Sequence, residues 1–155
     1  MYYENGMTIT MRDNNTATKA LELMKERLAI GFEIDKIYRR NPSERMIEEL
    51  YVEENRILIP EECGYHCPED AEEIFIELLK AVAEGMKAED FVCSIWNDCD
   101  VSYSEIEAEY ANGIMRTKTT YYPSGYVDEE FMEDLEEEEV EEYIPVVTEK
   151  EINFK

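Results

Sequence analysis

Apolar side chains recur at every second position in two segments of the chain. The first set lies near the start: Met7, Ile9 and Met11. The second lies in the middle, directly before Trp96: Phe91, Cys93 and Ile95. Because a period of two places alternate side chains on opposite faces of a strand, both segments are predicted to be β-strands with one buried face.

Two other segments repeat apolar residues every three or four positions, which predicts amphipathic helices. The first helix is predicted to have Asn15 or Thr16 as its N-cap, Gly31 as its stop, and this apolar stripe: Ala17, Ala20, Leu21, Met24 and Leu28. The second is predicted to begin at Pro68, because proline lacks the N–H that the first helical position leaves unused. Its apolar face contains Ala71, Ile74, Phe75, Leu78, Leu79, Val82 and Met86.

The segment between these helices allows two interpretations. The sequence Asn41-Pro42-Ser43 is a turn or cap signal, after which Met46, Ile47 and Leu50 fit a short helix. The alternative is a hairpin in which residues 50–52 return through residues 53–55 into residues 57–59. We favour the hairpin because its second arm is rich in β-branched residues.

Asn112-Gly113 is the strongest hairpin signal in the chain, because a type I′ turn requires positive φ at both central positions. With this pair as the loop, Glu109 faces Arg116 and Glu107 faces Lys118. These opposite charges are predicted to share the outer face, while the inner face carries Ile106, Ala108 and Tyr110.

The predicted element order is β-α-β-β-α-β followed by further hairpin strands. This order predicts an α+β fold with a ferredoxin-like split βαβ core, extended by a C-terminal β-hairpin and an acidic C-terminal segment. Residues 1–126 are predicted to form a single α+β domain. Residues 127–155 are predicted to form the acidic segment, which is helical and docked on the domain.

The charge of the chain is concentrated in its second part. The formal net charge is −24 over 155 residues, and residues 61–155 carry −22 of it, from 6 basic and 28 acidic residues. Such a surface repels phosphates and attracts cationic grooves. Direct binding to nucleic acid is therefore disfavoured, and binding to a basic nucleic-acid-binding protein is favoured.

The densest acidic stretch is residues 128–143, with 11 carboxylates in 16 residues and no Lys or Arg. As one helix it would span about 24 Å, and its charge density would approach the one charge per ~1.7 Å of duplex DNA. Approximately helical spacing also gives it an apolar side for docking: Phe131, Met132, Leu135 and Tyr143. The alternative is a passive, solvated tail, which long glutamate runs usually form.

Four cysteines and the single histidine suggest a metal site, with Cys63, His66 and Cys67 in one loop and Cys93 and Cys99 further along. Four such donors satisfy tetrahedral zinc. The second half lacks a paired spacing, however, and Cys93 falls on the inward face of its strand, where a small apolar residue suffices. We therefore predict no bound metal and no cofactor, and a zinc-stabilised adaptor using the Cys63-His66-Cys67 loop is the alternative.

Other classes of protein find little support in the sequence. No apolar run approaches the ~18 residues that span a bilayer, and the first residues do not resemble a secretory signal. Catalytic triads would have to use the sole histidine, and there is no glycine-rich phosphate loop or GxSxG motif. The sequence therefore predicts a cytoplasmic protein that is not an enzyme.

One stretch of the chain resembles known proteins. A helix, a strand ending in FVCSIWNDCD and a tyrosine-rich hairpin closing in TTYYPSGY resemble phage- or plasmid-encoded ferredoxin-like domains, over roughly residues 68–126. The acidic composition is similar to that of phage-encoded anti-CRISPR and anti-restriction proteins that mimic DNA. The resemblance implies no role for a particular residue.

The acidic surface predicts a protein that binds the cationic nucleic-acid groove of another protein. The resemblance implies that it is an inhibitor from a phage or mobile element, directed at a bacterial nuclease such as a CRISPR effector. Carboxylates would contact the Lys and Arg that normally hold phosphates, with Tyr121, Tyr122 and Phe131 as packed anchors. The predicted contact residues are Glu105, Tyr121, Tyr122, Asp128, Glu129, Glu130, Phe131, Glu133, Asp134, Glu136, Glu137, Glu138, Glu139, Glu141 and Glu142.

Overall fold

The computed structural model describes residues 3–36, 42–59, 68–99, 102–125 and 129–154. Within these residues, seven strands form one antiparallel sheet in the order β2-β3-β1-β4-β5-β6-β7. The strands are β1 (Tyr3–Thr10), β2 (Tyr51–Glu53), β3 (Arg56–Ile59), β4 (Phe91–Cys99), β5 (Tyr103–Ala111), β6 (Ile114–Tyr122) and β7 (Val146–Asn153). The predicted α+β class is confirmed.

Helices α1 (Asn14–Ile30), α2 (Pro42–Glu49) and α3 (Pro68–Gly85) precede β4 in the chain. Two shorter helices, α4 (Glu129–Glu133) and α5 (Glu137–Val140), lie between β6 and β7. Single 3₁₀ turns occupy Glu33–Lys36 and Glu141–Tyr143.

The hydrophobic core lies between the first three helices and one face of the sheet. Met24, Met46 and Phe75 from the helices are each buried, together with strand residues such as Ile9 and Ile106. Residues of the opposite parity along the strands face solvent, so the second face of the sheet is open. Val92 on this open face is 50% exposed.

Helix α1 begins earlier than the sequence analysis predicted. Its N-cap is Asp13, whose carboxylate accepts hydrogen bonds from the backbone N–H of Thr16 at 2.8 Å and from its hydroxyl at 2.6 Å. Asn15 and Thr16 are therefore inside the helix, and their assignment as caps is wrong. The predicted stop at Gly31 is confirmed, with φ at 85°.

The two interpretations of residues 42–59 are both present in the structure, one after the other. Helix α2 buries Met46, and the hairpin of β2 and β3 follows it directly, with Val52 opposite Ile57. The favoured hairpin is confirmed. The sequence analysis was wrong only in treating the helix as its alternative.

The hairpin of β5 and β6 has the predicted turn and register. Asn112 and Gly113 have φ of 54° and 77°, Glu109 is opposite Arg116, and Glu107 is opposite Lys118. The Arg116 guanidinium also forms an ion pair at 3.4 Å with Glu151 of β7. Arg116 is therefore flanked by carboxylates from both neighbouring strands.

Replacing Gly113 with alanine is expected to lower the free energy of unfolding by about 1–2 kcal/mol, because a Cβ is strained at positive φ. Chemical denaturation monitored by circular dichroism measures this change. Asn112→Gly keeps the same backbone geometry accessible and is expected to change the stability by a few tenths of that amount. Equal stability of Gly113→Ala and the unaltered protein would contradict the assigned turn.

The end of the chain differs from the prediction. Residues 146–153 form β7, which pairs along its length with β6 and extends the sheet, so residues 127–155 are not a helical segment. Ile152 and Phe154 pack against the core, and the Phe154 ring meets Tyr110 edge-on at 5.9 Å. The sheet therefore continues past the predicted domain boundary at residue 126.

Candidate functional site

The acidic stretch is a loop with both of its ends fixed in the sheet. We define the acidic loop as residues 123–145, which connect β6 to β7. Tyr121 of β6 is the direct ladder partner of Val146 of β7, so the loop leaves and re-enters the sheet at adjacent strands. Adjacent strands lie about 4.8 Å apart. The carboxylates are therefore held in a compact loop at one end of the sheet rather than on a tail.

The acidic loop is not the continuous 16-residue helix that the sequence analysis considered. Helix α4 ends at Glu133, a turn follows in which the Leu135 N–H bonds the Met132 carbonyl at 3.3 Å, and α5 begins at Glu137. Two physical reasons account for the break. Glutamates four apart with no intervening cation destabilise a helix by about 0.2–0.5 kcal/mol per pair, and the loop must fold back to reach β7.

Aromatic and aliphatic side chains hold the two halves of the acidic loop together. The Phe131 and Tyr143 rings meet edge-on with centroids 5.4 Å apart, which joins α4 to the 3₁₀ turn before β7. Met132, Leu135 and Val140 are half-buried within the loop. Phe131 keeps 44% of its surface exposed and Ile144 keeps 51%, so apolar surface remains available beside the carboxylates.

The described carboxylates of the loop all face solvent. The exposed set is Glu130, Glu133, Asp134, Glu136, Glu137, Glu138, Glu139, Glu141 and Glu142. The ion pairs found among the described residues involve other parts of the chain. Asp128 lies outside the described residues, as does the side chain of Glu129. The described charges of the loop are thus turned outward, and no Lys or Arg in the described part of the chain forms an ion pair with them.

A second acidic group lies at the same end of the sheet. Glu105 faces the open side of β5, where its carboxylate accepts a hydrogen bond from the Tyr103 hydroxyl at 2.7 Å. Asp98 and Tyr122 are the ladder partners of Tyr103 on either side. Burial raises the pKa of Tyr103, and the hydrogen bond to Glu105 together with the charges of Glu105 and Asp98 raises it further. The local potential at this hydroxyl is therefore negative.

The two predicted tyrosine anchors do not act on one surface. Tyr122 lies on the open face, where its ring is 5.8 Å from that of Tyr103. Tyr121, its neighbour in β6, points to the opposite face and is 42% exposed. Glu105 and Tyr122 thus share the open face, whereas Tyr121 lies on the other side of the sheet beside the start of β7.

The open face of the sheet forms a shallow groove of about 840 Å³. Its floor carries small residues of β1 and β4, including Thr8, Thr10 and Ser94. On the other side of the groove, three neighbouring strands each carry a column of two like charges. These columns are Glu107 and Glu109 on β5, Arg116 and Lys118 on β6, and Glu149 and Glu151 on β7. Acidic columns on both sides of a basic column leave this face negative on balance.

The candidate metal ligands of the alternative interpretation lie mostly outside the part of the chain that the structure describes. Cys63, His66 and Cys67 lie outside the described residues, and Cys99 is the last residue of β4. Cys93 is 5% exposed in the core, and burial raises the pKa of its thiol. Among the described residues, no group of three His, Cys, Asp or Glu side chains is placed to hold a metal ion. The interpretation of Cys93 as a core residue is confirmed.

The sequence analysis missed the contributions of Tyr103, Asp98 and β7 to this region. The signal for β7 was present, since the β-branched run Val146-Val147-Thr148 follows directly after Pro145. The grouping of Tyr103 with Asp98 and Glu105 depends on the pairing of β4 with β5, which the hairpin signal at residues 112–113 does not report.

No protein-family model matches this chain, and neither the curated proteins nor the solved structures contain one that is significantly similar to it. In the described part of the chain, no helix has both the length and the apolar character needed to cross a membrane.

Proposed function

We propose that this protein is a nucleic-acid mimic, which inhibits a bacterial nuclease by occupying its cationic nucleic-acid groove with the acidic loop. A CRISPR effector or a restriction enzyme is the concrete target, and a phage or mobile element is the source. The protein binds its target without carrying out catalysis. Its place of action is the cytoplasm of the host cell, where such nucleases work.

The observation that carries this proposal is the presentation of charge by the acidic loop. Eleven carboxylates lie within residues 128–143 without a single Lys or Arg, and those that the structure describes are exposed. Fixing both ends of the loop in the sheet keeps these charges close together, and among the described residues no Lys or Arg forms an ion pair with them. A groove lined by Lys and Arg supplies the missing opposite charge, as it does for phosphates.

Exposed apolar side chains beside the carboxylates give the proposed interface its packed contacts. Phe131 and Tyr121 are 44% and 42% exposed, and Ile144, Val146 and Val147 are each more than half exposed. Interfaces derive most of their affinity from a few such anchors, while the surrounding charges set specificity and association rate. Tyr122 and Glu105 extend the contact onto the open face.

We also propose that the core is ferredoxin-like. The chain order β1-α1-β2-β3-α3-β4 and the sheet order β2-β3-β1-β4 support this assignment, since each helix connects two parallel strands that are separated by one antiparallel neighbour. In this description, α2 is an insertion between α1 and β2, and the strands β5 to β7 extend the sheet. The acidic loop is carried by the extension and not by the core.

An affinity capture from bacterial lysate tests the proposal. The immobilised protein is expected to retain a nuclease or nuclease complex that elutes as the salt concentration rises. Added salt weakens attraction between exposed charges, because the Debye length shortens to about 8 Å at physiological ionic strength. The captured enzyme, once purified, is expected to lose cleavage activity when this protein is added. Capture of a protein whose nucleic-acid binding and cleavage are unaffected would contradict the proposal.

A further inference from the structure

Strand β7 forms one edge of the sheet and has no covering element among the described residues. It is the last strand in the sheet order, and from Val146 to Glu151 its residues are all exposed. Such edges present a row of backbone donors and acceptors that can pair with another strand. The edge is eight residues long, which is longer than the three-residue β2 at the other end of the sheet.

The ladder register shows which backbone groups face outward. The Phe154 N–H donates to the carbonyl of Gly113 at 2.7 Å, and these two residues are directly opposite in the continuation of the β6–β7 register. In an antiparallel ladder, hydrogen-bonded pairs alternate with non-bonded pairs. The even-numbered residues of β7 therefore bond to β6, and the outer edge shows the N–H and C=O groups of Val147, Glu149 and Glu151.

The same odd-numbered residues place their side chains on the open face. Glu149 and Glu151 are opposite Lys118 and Arg116 of β6, and line the groove on that face. In an added strand, the residues directly opposite Glu149 and Glu151 would place their side chains on the same open face. Directly opposite residues are at the distance at which cross-strand charge pairs interact. Lys or Arg at those positions would continue the alternation of acidic and basic columns across the sheet.

Pairing of β7 with a second copy of this chain is disfavoured by charge. A two-fold axis makes the β7 strands of the two copies antiparallel, and it places odd-numbered residues opposite odd-numbered residues. Centred on residue 149 or 150, such a dimer places Glu149 opposite Glu149 or Glu151 of the other copy. Each copy also has a formal charge of −24. Like charges directly opposite are destabilising, so a cationic partner fits this edge better than a second copy.

We propose that the outer edge of β7 binds an extended cationic segment of a partner protein as an eighth strand, with Lys or Arg opposite Glu149 and Glu151. The segment forms main-chain hydrogen bonds with residues 147, 149 and 151, and its alternate side chains lie over the open face. This inference concerns the sheet edge, and it stands whether or not the acidic loop binds a nuclease.

A capped octapeptide of alternating valine and lysine is the probe, titrated into the ¹⁵N-labelled full chain and followed by NMR. Amide signals of Val147, Glu149 and Glu151 are expected to shift to saturation, and their hydrogen exchange is expected to slow. Thr148 and Lys150 already bond to β6, so their exchange is expected to stay the same. An octapeptide of alternating valine and glutamate is expected to leave all these signals in place.

Variants separate the edge from other binding modes. Val147→Pro removes an outward N–H without breaking the β6–β7 ladder, and is expected to weaken the lysine peptide about three- to tenfold, equivalent to one hydrogen bond. Val147→Thr keeps the N–H and is expected to bind as the unaltered chain does. Glu149→Gln with Glu151→Gln, which leaves the backbone unchanged, is expected to weaken binding at low salt.

The result that overturns the inference is a lysine peptide whose shifts are confined to residues 129–144, since binding would then belong to the acidic loop alone. Equal binding of the lysine and glutamate peptides would also overturn it. A dimer of the protein alone in sedimentation equilibrium that Val147→Pro dissociates would assign the edge to a second copy. Replacing Glu136 to Glu139 with glutamine is expected to leave the β7 shifts intact, which separates this test from that of the loop.

Discussion

Replacing Glu136, Glu137, Glu138 and Glu139 with glutamine is expected to weaken binding to the target nuclease about ten- to a hundredfold. Each exposed charge pair contributes about 0.2–1 kcal/mol, so four pairs in the middle of that range contribute about 1.4–2.8 kcal/mol, and each 1.4 kcal/mol is a tenfold change in affinity. The four side chains are exposed and lie outside the hydrophobic core, so the variant is expected to fold normally. Titration calorimetry at several salt concentrations measures the effect, which is expected to shrink as salt rises.

A matched control removes four charges elsewhere on the surface. Glu22, Glu53, Glu54 and Glu84 are exposed and lie outside the acidic loop, on α1, on the β2–β3 hairpin and on α3. Their replacement with glutamine changes the net charge by the same amount and is expected to alter affinity less than threefold. Equal losses in the two variants would show that net charge alone drives binding, and the acidic loop would then have no specific role.

Replacing Tyr110 with alanine is expected to lower the free energy of unfolding by about 3–5 kcal/mol, the usual cost of deleting a buried aromatic ring. Tyr110 is fully buried and stacks on Phe91 with ring centroids 5.2 Å apart. Its hydroxyl donates to the carbonyl of Lys87 at 2.8 Å, which ties β5 to the segment after α3. Urea denaturation measures the loss.

Two further substitutions resolve that effect into its parts. Tyr110→Phe keeps the ring and leaves the Lys87 carbonyl without its donor, so a smaller loss of about 1 kcal/mol is expected. Tyr51→Ala, at a position 43% exposed on the edge strand β2, is expected to change stability by less than about 0.5 kcal/mol. A Tyr110→Ala variant as stable as Tyr51→Ala would contradict the described packing.

Much of the fold was predictable because its signals are local. Periodicity predicted α1, α3, β1 and β4, and the turn chemistry of Asn112-Gly113 predicted the register of β5 with β6. A type I′ turn fixes both the loop length and the pairing that follows from it, so no long-range information was needed.

The errors at the end of the chain concern long-range pairing, because the β-branched run at residues 146–148 indicates a strand but does not identify its partner. Residues 146–153 are a strand because β6 offers them a ladder, and the acidic stretch breaks into two short helices because its ends must meet at adjacent strands. The N-cap of α1 was misplaced for a more local reason. Four successive residues are all of types that cap helices well: Asp13, Asn14, Asn15 and Thr16. The hydrogen bonds to Thr16 select Asp13 among them.

The composition of the candidate site was predictable, and its geometry was not. Charge density identified the acidic stretch, and most of the predicted contact residues lie in the acidic loop. Tyr121 and Tyr122 lie on opposite faces of the sheet because they are neighbours in one strand. The structure establishes this by showing that β6 extends to residue 122. The grouping of Glu105 with Tyr103 and Asp98 requires the β4–β5 register.

The most direct test of nucleic-acid mimicry is a competition experiment with the captured nuclease. Its fluorescently labelled nucleic-acid substrate is bound first, and this protein is then titrated in while polarisation is recorded. We expect the polarisation to fall to the value of free nucleic acid, with the four-glutamine loop variant requiring about ten- to a hundredfold more protein. Polarisation that stays constant or rises, with a ternary complex recovered by gel filtration, would contradict the account.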